Sequence, residues 1–282
     1  MTTHVFDTTG PVRVTIDLPH GSVRILASDR TDARVTVTHD GSDDAETATR
    51  VTFADGELAI TGPAQRRFAW ALDWLRGSTA ENVEIELPAG SHVKATLSMG
   101  EYRCDGPLGE CSLFTRYGDI RVEEGGPLTL ETTYGEVHVE HALDDAELST
   151  GSGDIEARTL DAAGTVRNNY GGTRIGHAGG DLRVTGLYGD VRISRAEGGV
   201  AAKTAYGGVR IDEVVRGTVE LTTTSGVLEV GIRAGTAAWL DVSSTSGKVR
   251  NSLDARDNPD GFTETVEIHA HTDSGDIVVR RA

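Results

Sequence analysis

The chain has 282 residues, enough for one large domain or two ordinary ones. Glycine supplies 35 of them, about 12% against a usual ~7%, while aromatics are only 5%, a balance that argues against a helical bundle and for turns and repeats. Acidic residues outnumber basic ones 44 to 27, and a net charge of −17 excludes nucleic acid or an anionic membrane as a general partner, since both attract positive surface.

The first residues, Met1-Thr-Thr-His-Val-Phe-Asp7, lack the basic and apolar regions of a secretory signal. The longest apolar stretch, 68–75, is interrupted by Asp73 and falls far short of the ~20 residues of a membrane span. A cytoplasmic chain without a membrane span is the expectation. Two segments then repeat one another, Val14-Thr-Ile-Asp-Leu-Pro-His-Gly-Ser22 and Val83-Glu-Ile-Glu-Leu-Pro-Ala-Gly-Ser91, with strand-like 34–38, 51–53 and 58–60 between them. Residues 1–97 are expected to form atypical coils and a cap, continuous with the regular coils of 98–282. Within them, 65–76 concentrates Phe68, Trp70, Leu72, Trp74 and Leu75 at helical spacing. This segment is expected to cap or flank the N-terminal coils. The alternative is a partner- or membrane-contacting loop rimmed by Arg66, Arg67 and Arg76.

From residue 99 one hexapeptide recurs ten times, as in Tyr117-Gly-Asp-Ile-Arg-Val122, Tyr188-Gly-Asp-Val-Arg-Ile193 and Ser274-Gly-Asp-Ile-Val-Val279. Its glycines are spaced by 18, 17, 18, 18, 18, 18, 19, 21 and 28 residues. Apolar residues at +2 and +4 from each Gly, such as Ile120/Val122 and Val191/Ile193, show the period of two that marks a strand. A second apolar pair lies seven and five residues before the Gly, as in Leu182/Val184 and Val219/Leu221. Each period therefore predicts strand, turn, strand and Gly turn, and stacked coils close a core that one coil cannot. The predicted fold is an all-β, single-chain parallel β-solenoid of about 18-residue coils over 98–282, right-handed by analogy. Its cross-section is flattened or three-sided, and a loop insertion lies near 252–262.

The Tyr/Ser-Gly-Asp-Ile/Val-x-Val repeats, following Ile85-Glu-Leu-Pro-Ala-Gly-Ser91, resemble a family of bacterial β-strand-repeat proteins of unknown function. That family is related to adhesin-like proteins with a head GIN domain, the Toastrack domains. The resemblance covers nearly the whole chain and implies stacked β-helices, linked in several members to envelope-stress proteins of the phage-shock and Lia type. It implies no catalytic residues.

Stacking repeats places like residues in columns. Tyr117, Tyr134, Tyr170, Tyr188 and Tyr206 precede repeat glycines and are expected to stack. Arg103, Arg121, Arg174, Arg192, Arg210 and Arg250 share the outward +3 position, and Glu101, Asp119, Glu136, Asp154, Asp190 and Asp276 share +1. Diagonal acid–base pairs are expected to offset the arginine repulsion. Thr115, Thr132, Thr150, Asn168, Thr204, Thr223, Ser244 and Thr272 form a corner column, broken by Gly186, suited to satisfying turn backbone. Cys104 and Cys111 take core positions and can face one another, read as buried thiols with their pairing left open.

The close pairs His138/His141 and His269/His271, and the oxygen-rich residues Asp254, Asp257, Asn258 and Asp260, lack metal-site spacing. No nucleophile elbow, Walker loop or dinucleotide fingerprint is present. No metal, cofactor or catalytic residue is therefore expected. The reading is a non-enzymatic scaffold that docks a protein partner or itself through Arg121, Arg174, Arg192 and Arg210 with Tyr170, Tyr188 and Tyr206. The alternative is a carbohydrate-binding or polysaccharide-active β-helix.

Overall fold

A computed structural model of the protein describes residues 1–39, 49–62, 81–253 and 261–282. The described residues hold 26 strands and no helix, and they group into two compact units, Met1–Gly135 and Glu136–Ala282. Each unit is a parallel β-solenoid with two strands per coil, so the cross-section is flattened rather than three-sided.

Within Met1–Gly135, strand Arg13–Ser28 is long enough to contribute to both sheets. Its first half pairs in parallel with His92–Met99, and its second half with Tyr102–Leu108. Alternate residues face inward, and Val14, Ile16, Leu18, Val23 and Ile25 are all at most 2% exposed. Burying each such side chain contributes about 1.5–3 kcal/mol relative to leaving it in water.

The N-terminal end of this unit departs from a purely parallel solenoid. Glu81–Pro88 is followed outward by Asp32–His39 and then Thr2–Asp7, both antiparallel. On the other sheet Arg50–Ala54 returns antiparallel beside Glu57–Thr61. Asp55 and Gly56, with φ of 52° and 74°, make that tight hairpin turn, a backbone shape that Asp-Gly accepts easily. Rings of Phe6 and Phe53, from the outermost strands of the two sheets, stack with centroids 5.1 Å apart. These antiparallel strands extend both sheets beyond the first parallel coil, so that this end finishes in two short edge strands of six and five residues with the Phe6–Phe53 stack between them. Whether the 65–76 segment adds to them lies outside the described residues, as do Phe68, Trp70 and Trp74.

Within Glu136–Ala282 the coils stack in chain order from Val137–Ala142 to Leu228–Ile232. The order then breaks. Strand Glu264–Ser274 inserts between Gly217–Ser225 and Thr236–Ser246, and Ile277–Arg281 sits between Leu228–Ile232 and Val249–Asn251. The last coil in sequence is thus the next-to-last in space, where the even spacing of the repeats suggests simple succession.

The corner glycines explain the period. Gly189 has φ +136°, and a Cβ there would lie 2.0 Å from the carbonyl oxygen of Gly171 in the adjacent coil. Backbone meets backbone at this corner, and only glycine fits. Beside it the threonine column satisfies the carbonyls that the turn leaves unpaired. Thr115 Oγ1 donates to Gly100 O at 3.0 Å, Thr132 Oγ1 to Gly118 O at 2.9 Å, and Thr223 Oγ1 to Gly207 O at 3.0 Å. Asn168 Nδ2 does the same for Gly153 O. Gly186 interrupts the column, and its two neighbours, Asn168 and Thr204, each keep a buried side-chain oxygen without a hydrogen bond.

Candidate functional site

The arginine column forms as its spacing predicts. Arg174, Arg192 and Arg210 are consecutive register partners on three adjacent strands, and the column continues to Glu229. None of the three is a free cation. Arg174 pairs with Asp154 at 3.2 Å and Arg192 with Asp212 at 3.1 Å. Arg210 pairs with Asp212 at 2.6 Å and with Glu229 at 3.0 Å, and Glu229 accepts a further bond from Arg280 at 2.9 Å. Five side chains thus alternate in charge across four coils, from Arg192 through Asp212, Arg210 and Glu229 to Arg280. Partial burial pushes the Asp212 carboxyl up, but hydrogen bonds from Arg210 and Arg192 outweigh it and hold the group below its ordinary range. Its own bond to Asp212, and then the charge of Glu229, raise the Arg210 guanidinium. Each exposed pair is worth only about 0.2–1 kcal/mol, so the row matters more for its pattern than for stability.

The key carboxylates are not the expected ones. Of the +1 acids, Asp154 reaches an arginine of this trio, whereas Asp190 accepts the backbone N–H of Gly208 at 2.8 Å. Asp154 likewise accepts from Gly172 N at 2.7 Å. The carboxylate at +1 thus caps the turn of an adjacent coil, and the same bond runs from Lys248 N to Asp276 at 2.9 Å. Asp212 at +5 and Glu229 at +3 hold the arginines instead, and the only sequence signal was Glu229 standing in the arginine column. In the Met1–Gly135 unit, Arg24 and Arg103 share Asp105 at 3.3 and 3.1 Å. Arg121 lies in register with Arg103 and makes no ion pair among the described residues.

Gly207, Gly208 and Gly226 line an open groove of about 560 Å³ together with Arg192, Arg210, Glu229 and the exposed Val227. Two of the arginines singled out from sequence therefore line one concavity, beside glycine backbone and an apolar side chain.

The tyrosines stack as expected. Tyr170, Tyr188 and Tyr206 form a column with centroids 5.2 and 4.9 Å apart and planes within 8°. Tyr117 and Tyr134 stack at 5.1 Å in the other unit. Ser152 and Ser225 occupy the register positions beyond Tyr170 and Tyr206, so only the two terminal rings of the triple keep an open face. A sugar platform needs exposed ring faces, and this column has spent most of them on itself.

Among the described residues no group of three or more His, Cys, Asp or Glu side chains is arranged to hold a metal ion. His269 and His271 do share the outward face of one strand, but His269 bonds Glu267 at 3.0 Å and His271 bonds Asp273 at 3.2 Å. The oxygen-rich 254–260 stretch lies outside the described residues. Among the described residues no helix is long and apolar enough to cross a membrane.

Cys104 and Cys111 are free and buried. The hydrogen bond between them, and then burial, push the Cys104 thiol well above its ordinary range. A thiolate is the reactive species. In native protein both cysteines are expected to resist an aromatic disulfide reagent, reacting together only once denaturant is added. Rapid native labelling of either would contradict this placement.

With the two-strand coil, glycine corner and charged face in view, the kinship is direct: residues 13–280 match the Toastrack DUF4097 family. The chain belongs to it. No curated protein is similar to this Toastrack chain. Among solved structures it is similar to a putative cell adhesion protein from Clostridium sporogenes ATCC 15579, at 14% identity and TM-score 0.21, covering 100% of this chain and 99% of that one. It is also similar to a putative adhesin from Bacteroides fragilis NCTC 9343, at 10% identity and TM-score 0.29, with 100% and 96% covered. A third is a putative adhesin from Parabacteroides distasonis ATCC 8503, at 10% identity and TM-score 0.28, with 98% and 96% covered. These likenesses are too loose to carry a role from those proteins to this Toastrack chain.

Proposed function

We propose that this Toastrack protein is a non-enzymatic scaffold that docks a protein partner on its arginine face, in a bacterial envelope-stress or adhesin-like system. The observation carrying this reading is the groove lined by Gly207, Gly208 and Gly226 with Arg192, Arg210 and Glu229, whose arginines Asp212 and Glu229 hold in an alternating row. Guanidinium groups held in place by carboxylates lose little freedom when a partner's carboxylates or amide carbonyls meet their remaining N–H donors. Three of the lining residues are glycines, so an extended segment can approach the backbone there, with Val227 beside it as an apolar contact.

Replacing Arg174, Arg192 and Arg210 together with Ser tests it. Each lost pair is exposed, so the melting temperature should move by only a few degrees. A partner captured by the wild-type protein from cells of its own source should be lost from the variant. Undiminished capture by a folded triple variant would refute the docking face.

A further inference from the structure

The end coil of a solenoid leaves a row of backbone N–H and C=O groups unpaired on each sheet, and repeat proteins cover such ends. The Met1–Gly135 unit ends in short antiparallel strands on both sheets, closed by the stacked rings of Phe6 and Phe53. At the far end of Glu136–Ala282 the outermost strands are Thr236–Ser246 and Val249–Asn251, and among the described residues each pairs on one side only. Thr236–Ser246 runs eleven residues with no proline, no lysine and one charge, Asp241. Such an edge lacks the devices that normally discourage pairing.

The backbone orientation follows from the equivalent coils. Gly275 N donates to Ser246 O, so this coil stands after Glu264–Ser274 in the stack, but the register skips Thr245 and the phase of Ser246 does not carry back past it. In the equivalent strands Gly164 and Leu182, each seven residues before its corner glycine, donate their N–H to the following coil, and Leu240 holds that place here. Strand alternation then turns the N–H and C=O of Ala238, Leu240 and Val242 toward the free edge. The core is also left partly open here. Leu240 and Val242 are only half-buried, whereas Val219 and Leu221, two strands further in, are at most 1% exposed. Val249 is 44% and Trp239 56% exposed. Residues 254–260 contribute one apolar side chain, Ala255.

We propose that this edge pairs with the same edge of a second copy of the chain, the two Thr236–Ser246 strands meeting antiparallel about Leu240. A two-fold axis at Leu240 matches free-edge residues with free-edge residues, Leu240 against Leu240 and Ala238 against Val242. These are also the half-buried positions of the strand, so the pairing extends the core from one copy into the next. Centring on Asp241 instead would oppose two carboxylates. In a chain of net charge −17, this nearly neutral strand is where two copies meet with little repulsion. An isologous pairing of this kind closes on itself as a dimer.

Sedimentation velocity across a concentration series, with hydrogen exchange on the same samples, tests the proposal. Wild-type protein should convert from monomer to dimer, and the amides of Ala238, Leu240 and Val242 should gain protection as it does. Ala238→Pro removes a free-edge donor without touching an inward bond, and edge strands tolerate proline there. It should keep the wild-type circular dichroism spectrum and raise the dimer dissociation constant at least about tenfold. A wild-type chain that stays monomeric overturns the proposal, as does a dimer in which those three amides stay unprotected. A folded Ala238→Pro variant that dimerises with wild-type affinity overturns it too. Loss of the dimer in the triple arginine variant, with Ala238→Pro still dimeric, would place self-association on the arginine face. Loss of a partner with the dimer intact supports pairing at the edge.

Discussion

Gly189→Ala is expected to destabilise the protein by at least about 4 kcal/mol, in the range that one substitution reaches only through a severe local conflict. Two causes act together. The backbone at Gly189 has φ +136°, where a residue with a Cβ is strained by about 1–3 kcal/mol. The new methyl would also stand 2.0 Å from Gly171 O and 2.6 Å from Gly171 C, which are backbone atoms of the neighbouring coil. No side chain can swing aside, so the two coils must separate and break ladder hydrogen bonds to relieve the contact. Gly56→Ala is the control. Its φ is +74°, but a Cβ there meets nothing within 4 Å, and the expected cost is about 1–2 kcal/mol. Denaturant unfolding followed by circular dichroism distinguishes the two. Equal losses for both variants would show that φ alone governs the corner and that close stacking of glycines does not.

That contact also explains why so much of the architecture was legible in the sequence. A corner that admits only glycine must recur once per coil, and the inward pairs at +2 and +4 must keep step with it. Period, strand assignment and core therefore came from one signal. The tyrosine, threonine and arginine columns share the same register. What stayed hidden depends on pairings that the repeat does not encode. Ser246-Gly247 and Ser274-Gly275 carry near-identical motifs, and either could succeed Ser225-Gly226 in the stack. Nothing local decides which coil lies inside. The antiparallel N-terminal strands were visible only as strand-like segments, because direction is set by long-range pairing. At the candidate site the arginines stood out by repetition, while Asp212 did not: its role depends on reaching Arg192 from the adjacent coil.

Tyr102→Ala is expected to cost about 3–5 kcal/mol, the range for deleting a large buried ring. Tyr102 occupies a +2 core position, where other coils carry Ile120, Val137 or Val191, and it is 1% exposed. Burial first, and then the neighbouring Cys104 and Cys111, raise its phenol well above the ordinary range, so the hydroxyl stays protonated and donates to Phe114 O at 3.1 Å. Those neighbours explain how the ring fits. The +4 position holds Val122, Val139 or Ile193 in other coils and Ala157 in one, and the −7 position holds Leu128 or Leu182, with Ala146 and Gly164 the smaller exceptions. Beside Tyr102 they shrink to Cys104 and Cys111, offsetting the volume of the ring at constant packing density. Three separable results are expected. Tyr102→Phe, which loses only the bond to Phe114 O, should cost about 1 kcal/mol. Cys111→Leu should destabilise by about 1–3 kcal/mol through overpacking. Tyr102→Ile should lose stability through the space it leaves, and combining it with Cys111→Leu should recover part of both losses, a coupling of about 0.5–3 kcal/mol in a double-mutant cycle. Strictly additive losses would show that the ring and the thiols do not share one space, and that the small residues beside Tyr102 have another origin.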